Sequence, residues 1–164
     1  MRATPAADIA LVILDVDGVL TDGRLFFGPD GEMLKCFNVR DGHGIKQAAA
    51  HGIRFAVISG RKSKAVATRC RELGIDSVIQ GCDDKLTAFR ALIRRLKLEP
   101  SRCACIGDDA PDVPLMTAVG LAFAVADAHP VAIAAAHRVT RLGGGAGAVR
   151  EVCDLLVAAR RPRP

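Results

Sequence analysis

Apolar residues in this chain fall into short unbroken runs, separated by longer stretches with helical spacing. Residues 9–14 (Ile-Ala-Leu-Val-Ile-Leu) contain no polar position, which predicts a strand covered on both faces, as in a parallel sheet. Runs at 54–58, 77–80, 103–106 and 121–125 predict four more strands, and 138–140 a short sixth. The stretches between them predict helices over 44–51, 62–73, 84–97, 113–118 and 148–160, with a turn or two of helix over 130–136. Gly52 and Gly74 stop the first two, and Pro100 follows the third. Such alternation implies an α/β fold: a Rossmann-like parallel sheet with helices on both faces and right-handed crossovers.

One segment breaks the order. Residues 24–37 form two β-prone arms around Gly28-Pro29-Asp30-Gly31 and predict a small β-hairpin insertion. Its arms carry Leu25, Phe26, Phe27, Met33, Leu34 and Phe37, too much apolar surface for an isolated hairpin. Burial against a second subunit is the favoured expectation over packing on the parent domain. The glycine-rich stretch 143–147 reads as a flexible loop, serving either as a plain connector or as a mobile cover over a site. No repeat or linker appears, so residues 1–164 are read as one domain, with a C-terminal tail from about 143.

Composition narrows the classes. Half of the 164 residues are apolar and a quarter charged, as in ordinary globular proteins. No apolar run is long enough to span a bilayer, and the N-terminus lacks signal-peptide features, so a cytoplasmic protein with no membrane partner is expected. The six cysteines show no C-x-x-C spacing and read as reduced structural thiols. The net charge of +5 comes from scattered Lys and Arg and suits a small anionic substrate. With no Trp or Tyr, stacking platforms for single strands are poorly supplied, and no nucleic-acid partner is expected. The run Arg160-Arg161-Pro162-Arg163-Pro164 reads as a frayed, solvated end.

The candidate chemistry sits at strand ends, where open α/β sheets bind ligands. The first strand ends in Asp15 and Asp17, two apart and therefore able to face one site. The second ends in Ser59-Gly60-Arg61, the third leads to Lys85, and the fourth to Gly107-Asp108-Asp109 with Asp112 beyond. Singly, each could be a helix cap or solvated surface. Together, a hydroxyl and an ammonium group can bind a phosphoryl group while several carboxylates hold a hard divalent cation, Mg2+. Asp15 would attack phosphorus, and Asp17 would protonate the leaving alcohol and then activate water.

The motifs Asp15-Val16-Asp17-Gly18-Val19, Ser59-Gly60-Arg61, Lys85 and Gly107-Asp108-Asp109 with Asp112 resemble those of the haloacid dehalogenase superfamily. That resemblance implies Asp15 as nucleophile, Asp17 as acid/base, Mg2+ on Asp15, the Asp17 carbonyl and Asp108, and phosphate on Ser59 and Lys85. Asp109 and Asp112 support the cluster. A carboxylate at the Asp17 position favours phosphatases over the ATP-driven pumps and dehalogenases of the superfamily. The stretches 37–45, 126–130 and 143–151 resemble its capless phosphatases acting on a phosphorylated eight-carbon sugar acid of lipopolysaccharide synthesis. This closer likeness covers nearly the whole chain and places Asn38, Val39, Arg40, Asp41, Gly42, Lys46, Arg61 and Arg69 at the substrate, besides Asp17 and Lys85. Ser59 stands where Thr is commoner, and Lys46 where Arg is.

Neither gap between motifs has room for a cap domain, so one subunit cannot close over a small substrate by itself. The apolar hairpin and the resemblance both point to a homo-oligomer, a tetramer with active sites at subunit junctions. His43, His51, His129 and His137 are read as surface or packing residues, His43 being the one beside the substrate-like stretch. Alternatives are a phosphatase of a nine-carbon, sialic-type 9-phosphate, a phospho-aspartate receiver domain, and a silent oligomerisation module.

Overall fold

The computed structural model of the chain describes residues 5–160, the side chains of residues 32 and 33 excepted. Six strands form one parallel sheet: β1 (Leu11–Leu14), β4 (Arg54–Ser59), β5 (Ser77–Gln80), β6 (Cys103–Gly107), β7 (Leu121–Ala124) and β8 (Arg138–Val139). Their spatial order is β5-β4-β1-β6-β7-β8. The chain winds outward from β1 in one direction, returns, and winds outward in the other. The switch falls between β1 and β6, the place where doubly wound sheets open a crevice. A receiver domain has the order 2-1-3-4-5, which this sheet does not follow.

Central position explains the unbroken apolar run. Leu11, Val12, Ile13 and Leu14 are fully buried because β1 has a strand on each side and helices on each face. On one face α1 (Val39–Ala50) packs on α6 (Ala148–Arg160) and touches α2 (Lys64–Leu73). On the other, α4 (Val113–Met116) bridges α3 (Lys85–Leu96) and α5 (Pro130–Ala135). Among the described residues no helix is long and apolar enough to cross a membrane.

The insertion is a two-stranded antiparallel hairpin, β2 (Phe26–Gly28) and β3 (Gly31–Leu34), separate from the main sheet. Its outer apolar groups are uncovered: Leu25, Phe26, Phe27 and Leu34 are 40–61% exposed. Packing on the parent domain therefore does not account for them. Met33, counted among these groups in the sequence, has its side chain outside the described residues.

Three expectations need correction. Helix α1 begins at Val39, well ahead of the expected start at Gly44. Asn38 caps it by accepting from the Arg40 N–H at 2.9 Å. Gly42 and Gly44 let α1 approach its neighbours: a Cβ at Gly44 would lie 2.7 Å from Arg150 Cδ. Second, Arg160 is no frayed end, since its guanidinium donates to the carbonyls of Ile9 and His51; residues 161–164 lie outside the described residues. Third, the loop 143–147 is docked rather than flexible. Gly145 N–H donates to the Val19 carbonyl at 3.0 Å, Asn38 Nδ2 to the Gly145 carbonyl at 3.0 Å, and Gly144 N–H to Asp127 Oδ1 at 2.9 Å.

That docking admits no side chain at Gly144, where a Cβ would come within 1.8 Å of the Gly18 carbonyl oxygen, a backbone atom. Gly144→Ala should lower the unfolding free energy by about 1–3 kcal/mol through this overpacking. Gly60→Ala, whose nearest neighbour would be the Cys82 carbonyl at 3.8 Å, should leave it within about 1 kcal/mol. Urea denaturation of both variants checks the difference.

Candidate active site

Register aligns the chemistry. Leu14 pairs with Val57 on one side and Ile106 on the other, so Ser59 and Asp108, each two residues further along, both come level with Val16. Asp15 and Asp17 flank that level on the loop leaving β1. Ser59 is buried at the end of β4, where its carbonyl accepts from the Cys82 N–H at 3.1 Å.

Lys85 is the first residue of α3. The helix start is set by Asp84, whose carboxylate accepts from the Thr87 N–H at 3.0 Å and the Thr87 hydroxyl at 2.7 Å. The cap holds Lys85 where its ammonium donates to Asp15 Oδ1 at 2.7 Å and Asp112 Oδ1 at 2.6 Å. All three side chains are less than 10% exposed. Asp112 is fully engaged, because its other oxygen accepts from the Asp108 N–H at 3.0 Å and the Asp109 N–H at 3.4 Å. Asp109 in turn caps the short turn Ala110–Asp112 in a reciprocal capping box with Asp112.

Oxygens of Asp15, Asp108 and Asp112 lie within 4.8 Å of one another. Burial, then repulsion from Asp112, pushes the Asp15 carboxyl above its ordinary value, with Lys85 pulling the other way. Asp108 is pushed up further, by burial and then by Asp15 and Asp112. Burial alone would lower Lys85, but Asp15 and Asp112 outweigh it and hold the ammonium above its usual range. Three carboxylates face one ammonium, so the cluster is short of positive charge. Hard oxygen donors in that state fit a divalent cation such as Mg2+. Gly18 completes the cradle: its φ is +93°, and a Cβ there would fall 2.1 Å from Asp108 Oδ2. The Asp108 carboxylate lies against the bare backbone of the loop that carries Asp17.

Asp17 sits at the open side of the cluster, with a fifth of its side chain exposed. Lys35, at the end of the hairpin, donates to Asp17 Oδ1. Arg61 Nε lies 3.9 Å from Asp17 Oδ2, and its guanidinium stacks 5.8 Å from the ring centroid of Phe27 on β2. Lys35 escaped the sequence reading. A lysine following the arm Glu32-Met33-Leu34 looks solvated, yet its side chain is 1% exposed.

The remaining predicted substrate residues form a second group around α1. Asn38 braces the glycine loop, Val39 is exposed, and Lys46 lies on the outer side of α1. Arg40 lines a cavity of about 480 Å³ with Arg141, Arg150 and Asp154. Arg69 pairs with Glu72 and lies against Gly42, where a Cβ would come 2.3 Å from its Nη2. Asp41 braces a distant helix. It is 1% exposed and its Oδ1 accepts from the Arg150 N–H at 2.8 Å, closing the first turn of α6. Burial raises its carboxyl above the ordinary value, with the Arg150 N–H acting against this. His129 caps α5, accepting from the Val131 N–H at 3.3 Å, and His137 Nδ1 accepts from the Ala122 N–H at 3.0 Å. His129 is exposed, and both side chains serve local backbone hydrogen bonds.

A carboxylate at the switch point, a second one two residues on, a buried ammonium and a distal acidic pair define a haloacid dehalogenase-like hydrolase. A family model of that description matches residues 77–147. The 3-deoxy-D-manno-octulosonate 8-phosphate phosphatase of Escherichia coli (strain K12) is 54% identical over 155 residues, covering 94% of this chain and 82% of that protein. A crystal structure of the phosphatase of the same name from Yersinia pestis superposes with a TM-score of 0.93 at 51% identity, covering 95% of this chain and 84% of that one. The Moraxella catarrhalis phosphatase, solved with magnesium, phosphate and the sugar acid, superposes with a TM-score of 0.93 at 42% identity, covering 95% of this chain and 90% of that one. The chain belongs to the 3-deoxy-D-manno-octulosonate 8-phosphate phosphatase family.

Removing the ammonium would leave Asp15 and Asp112 buried without their partner. Lys85→Met should therefore cost about 3–5 kcal/mol of stability. Adding Mg2+ should recover part of that loss, whereas in Lys85→Met/Asp108→Asn it should recover little. Thermal unfolding with and without millimolar Mg2+ reads both effects.

Proposed function

We propose that the protein hydrolyses 3-deoxy-D-manno-octulosonate 8-phosphate to the free sugar acid and inorganic phosphate, as a step in lipopolysaccharide synthesis. The observation that carries this reading is the clustering of Asp15, Asp108 and Asp112 at the sheet's switch point, with Lys85 bridging Asp15 and Asp112, in a chain 54% identical to a phosphatase of that name. Asp15 attacks phosphorus in line, and the bond from phosphorus to the sugar C8 oxygen breaks. That oxygen takes a proton from Asp17, leaving an aspartyl phosphate on Asp15. Asp17, now ionised, takes a proton from water as the water attacks phosphorus, and phosphate departs with Asp15 restored. Ser59 and Lys85 hold the phosphoryl oxygens. A Mg2+ ion on Asp15, the Asp17 carbonyl and Asp108 would supply charge neutralisation at those oxygens.

The hairpin and the α1 group belong to assembly. The chain forms a homotetramer in which the uncovered faces of Leu25, Phe26, Phe27 and Leu34 meet a neighbour. Arg40, Lys46 and Arg69 there serve the sugar acid's carboxylate at a subunit junction. Arg forks suit such anions. What supports this is the 40–61% exposure of the hairpin's apolar groups and their adjacency to Asp17 through Phe27 and Arg61. The site is cytoplasmic, in keeping with six free cysteines, four of them buried.

Asp15→Asn should abolish Mg2+-dependent phosphate release, and wild-type turnover by that variant would remove Asp15 as nucleophile. Phosphate release across a panel of sugar acid phosphates, the eight-carbon 8-phosphate and a nine-carbon 9-phosphate included, should show highest kcat/KM for the former. Removing residues 26–34 should give smaller particles in light scattering and raise KM; an unchanged tetramer would refute the hairpin's role in assembly.

A further inference from the structure

The hairpin touches the reaction site at a point that neither the phosphatase chemistry nor assembly requires. Lys35 leaves the end of β3 and turns inward, its side chain 1% exposed and donating to Asp17 Oδ1. The other oxygen of Asp17 faces Arg61, whose Nε is 3.9 Å away and whose guanidinium stacks on Phe27 of β2. Both cations beside this carboxylate are thus governed by the hairpin, one through the chain and one through stacking. Being almost fully buried, Lys35 is poorly placed to meet a substrate's phosphate or carboxylate directly. Its ammonium reaches the reaction site at Asp17.

We propose that Lys35 is a positioning residue for Asp17: it fixes the carboxylate for proton transfer to and from the alkyl oxygen and water, and it links the seating of the hairpin to that transfer. The proposal rests on the reading of Asp17 as acid/base in a phosphatase. Leu25, Phe26 and Leu34 of the hairpin are exposed, while its end holds Asp17. A neighbour covering the outer side would fix the arm that carries Lys35. In relatives with a cap domain, closure completes the site; here that task falls to a two-stranded arm, which is at best marginally stable alone. An isolated subunit would keep the means of attacking phosphorus, because Asp15, Lys85 and Asp108 stand on the main sheet and α3. It would lose control of the proton.

Leaving-group chemistry separates this from a merely structural role. An alkyl phosphate needs its departing oxygen protonated, whereas p-nitrophenyl phosphate releases a stabilised anion and does not. In Lys35→Met, kcat on an alkyl sugar acid phosphate should fall about 10–100-fold with KM within about threefold, since general acid–base help of this kind is worth on the order of 10²–10⁴. Single-turnover formation of the phosphoenzyme from p-nitrophenyl phosphate should stay within about threefold of wild type. Lys35→Gln is measured in the same way, and light scattering confirms that each variant keeps its assembly; should Lys35→Met fail to fold, Lys35→Gln carries the test. Equal losses on both esters in a folded variant, or no loss on either, overturn the proposal. Failure of the phosphatase reading itself would appear in the wild type, as no turnover of any alkyl phosphate, and not in the ratio between esters.

Discussion

An ammonium group held between two buried carboxylates is the constraint on which the rest of the structure turns. Taking a single ion out of water costs several kcal/mol, so Asp15, Asp112 and Lys85 can share the interior only with their hydrogen bonds nearly ideal. Distances of 2.7 and 2.6 Å meet that demand. Three separate pieces of chain must end in register to produce them: β1, which delivers Asp15; the cap at Asp84, which starts α3 at Lys85; and the capping box beyond β6, which turns Asp112 inward. The reversal of strand order between β1 and β6 supplies the place. Asp108 then adds a third carboxylate that Lys85 alone does not balance, and the resulting deficit of positive charge is what suits the cluster to a hard divalent cation.

Around this fixed centre, the groups that complete the site stand on a short arm and on loops. Asp15 and Lys85 are set by the parallel sheet and a capped helix. Asp17 is set by the hairpin, through Lys35 and the Arg61–Phe27 stack. The floor beneath Asp17 is fastened by the glycine loop, whose backbone lies against Gly18 and Val19 too closely for any side chain at Gly144. This division suits a chain with no cap domain. Phosphoryl chemistry asks for a rigid cation site, while the proton relay and the exclusion of water can be assigned to more peripheral parts of the chain.

Much of this could be read from the residues. The sheet was legible because central parallel strands lack the alternation of half-exposed ones, and Leu11 to Leu14 show none. Asp15, Asp17, Lys85 and Asp108 were legible because they follow strand runs, where an α/β sheet places ligands. What escaped was long-range. The use of Gly42 and Gly44 within a helix shows only when Arg69 and α6 are seen lying against them. Nothing local reveals that Asp41 caps a helix whose first turn lies more than a hundred residues away. The glycines of 143–147 suggest mobility, though here they permit the closest backbone approach in the loop. Lys35 is the clearest case. Its neighbours along the chain give it the look of surface, and only the fold of the hairpin brings it to Asp17.

The central claim is that Asp15, the Asp17 carbonyl and Asp108 hold one cation beside the group that attacks phosphorus. A crystal structure of the protein with Mg2+ and orthovanadate tests it most directly. One Mg2+ is expected about 2.0–2.1 Å from an oxygen of each of those three residues. Vanadium is expected in line with the free oxygen of Asp15, and Lys85 still between Asp15 and Asp112. Mg2+ bound elsewhere, or vanadate seated away from Asp15, would contradict it.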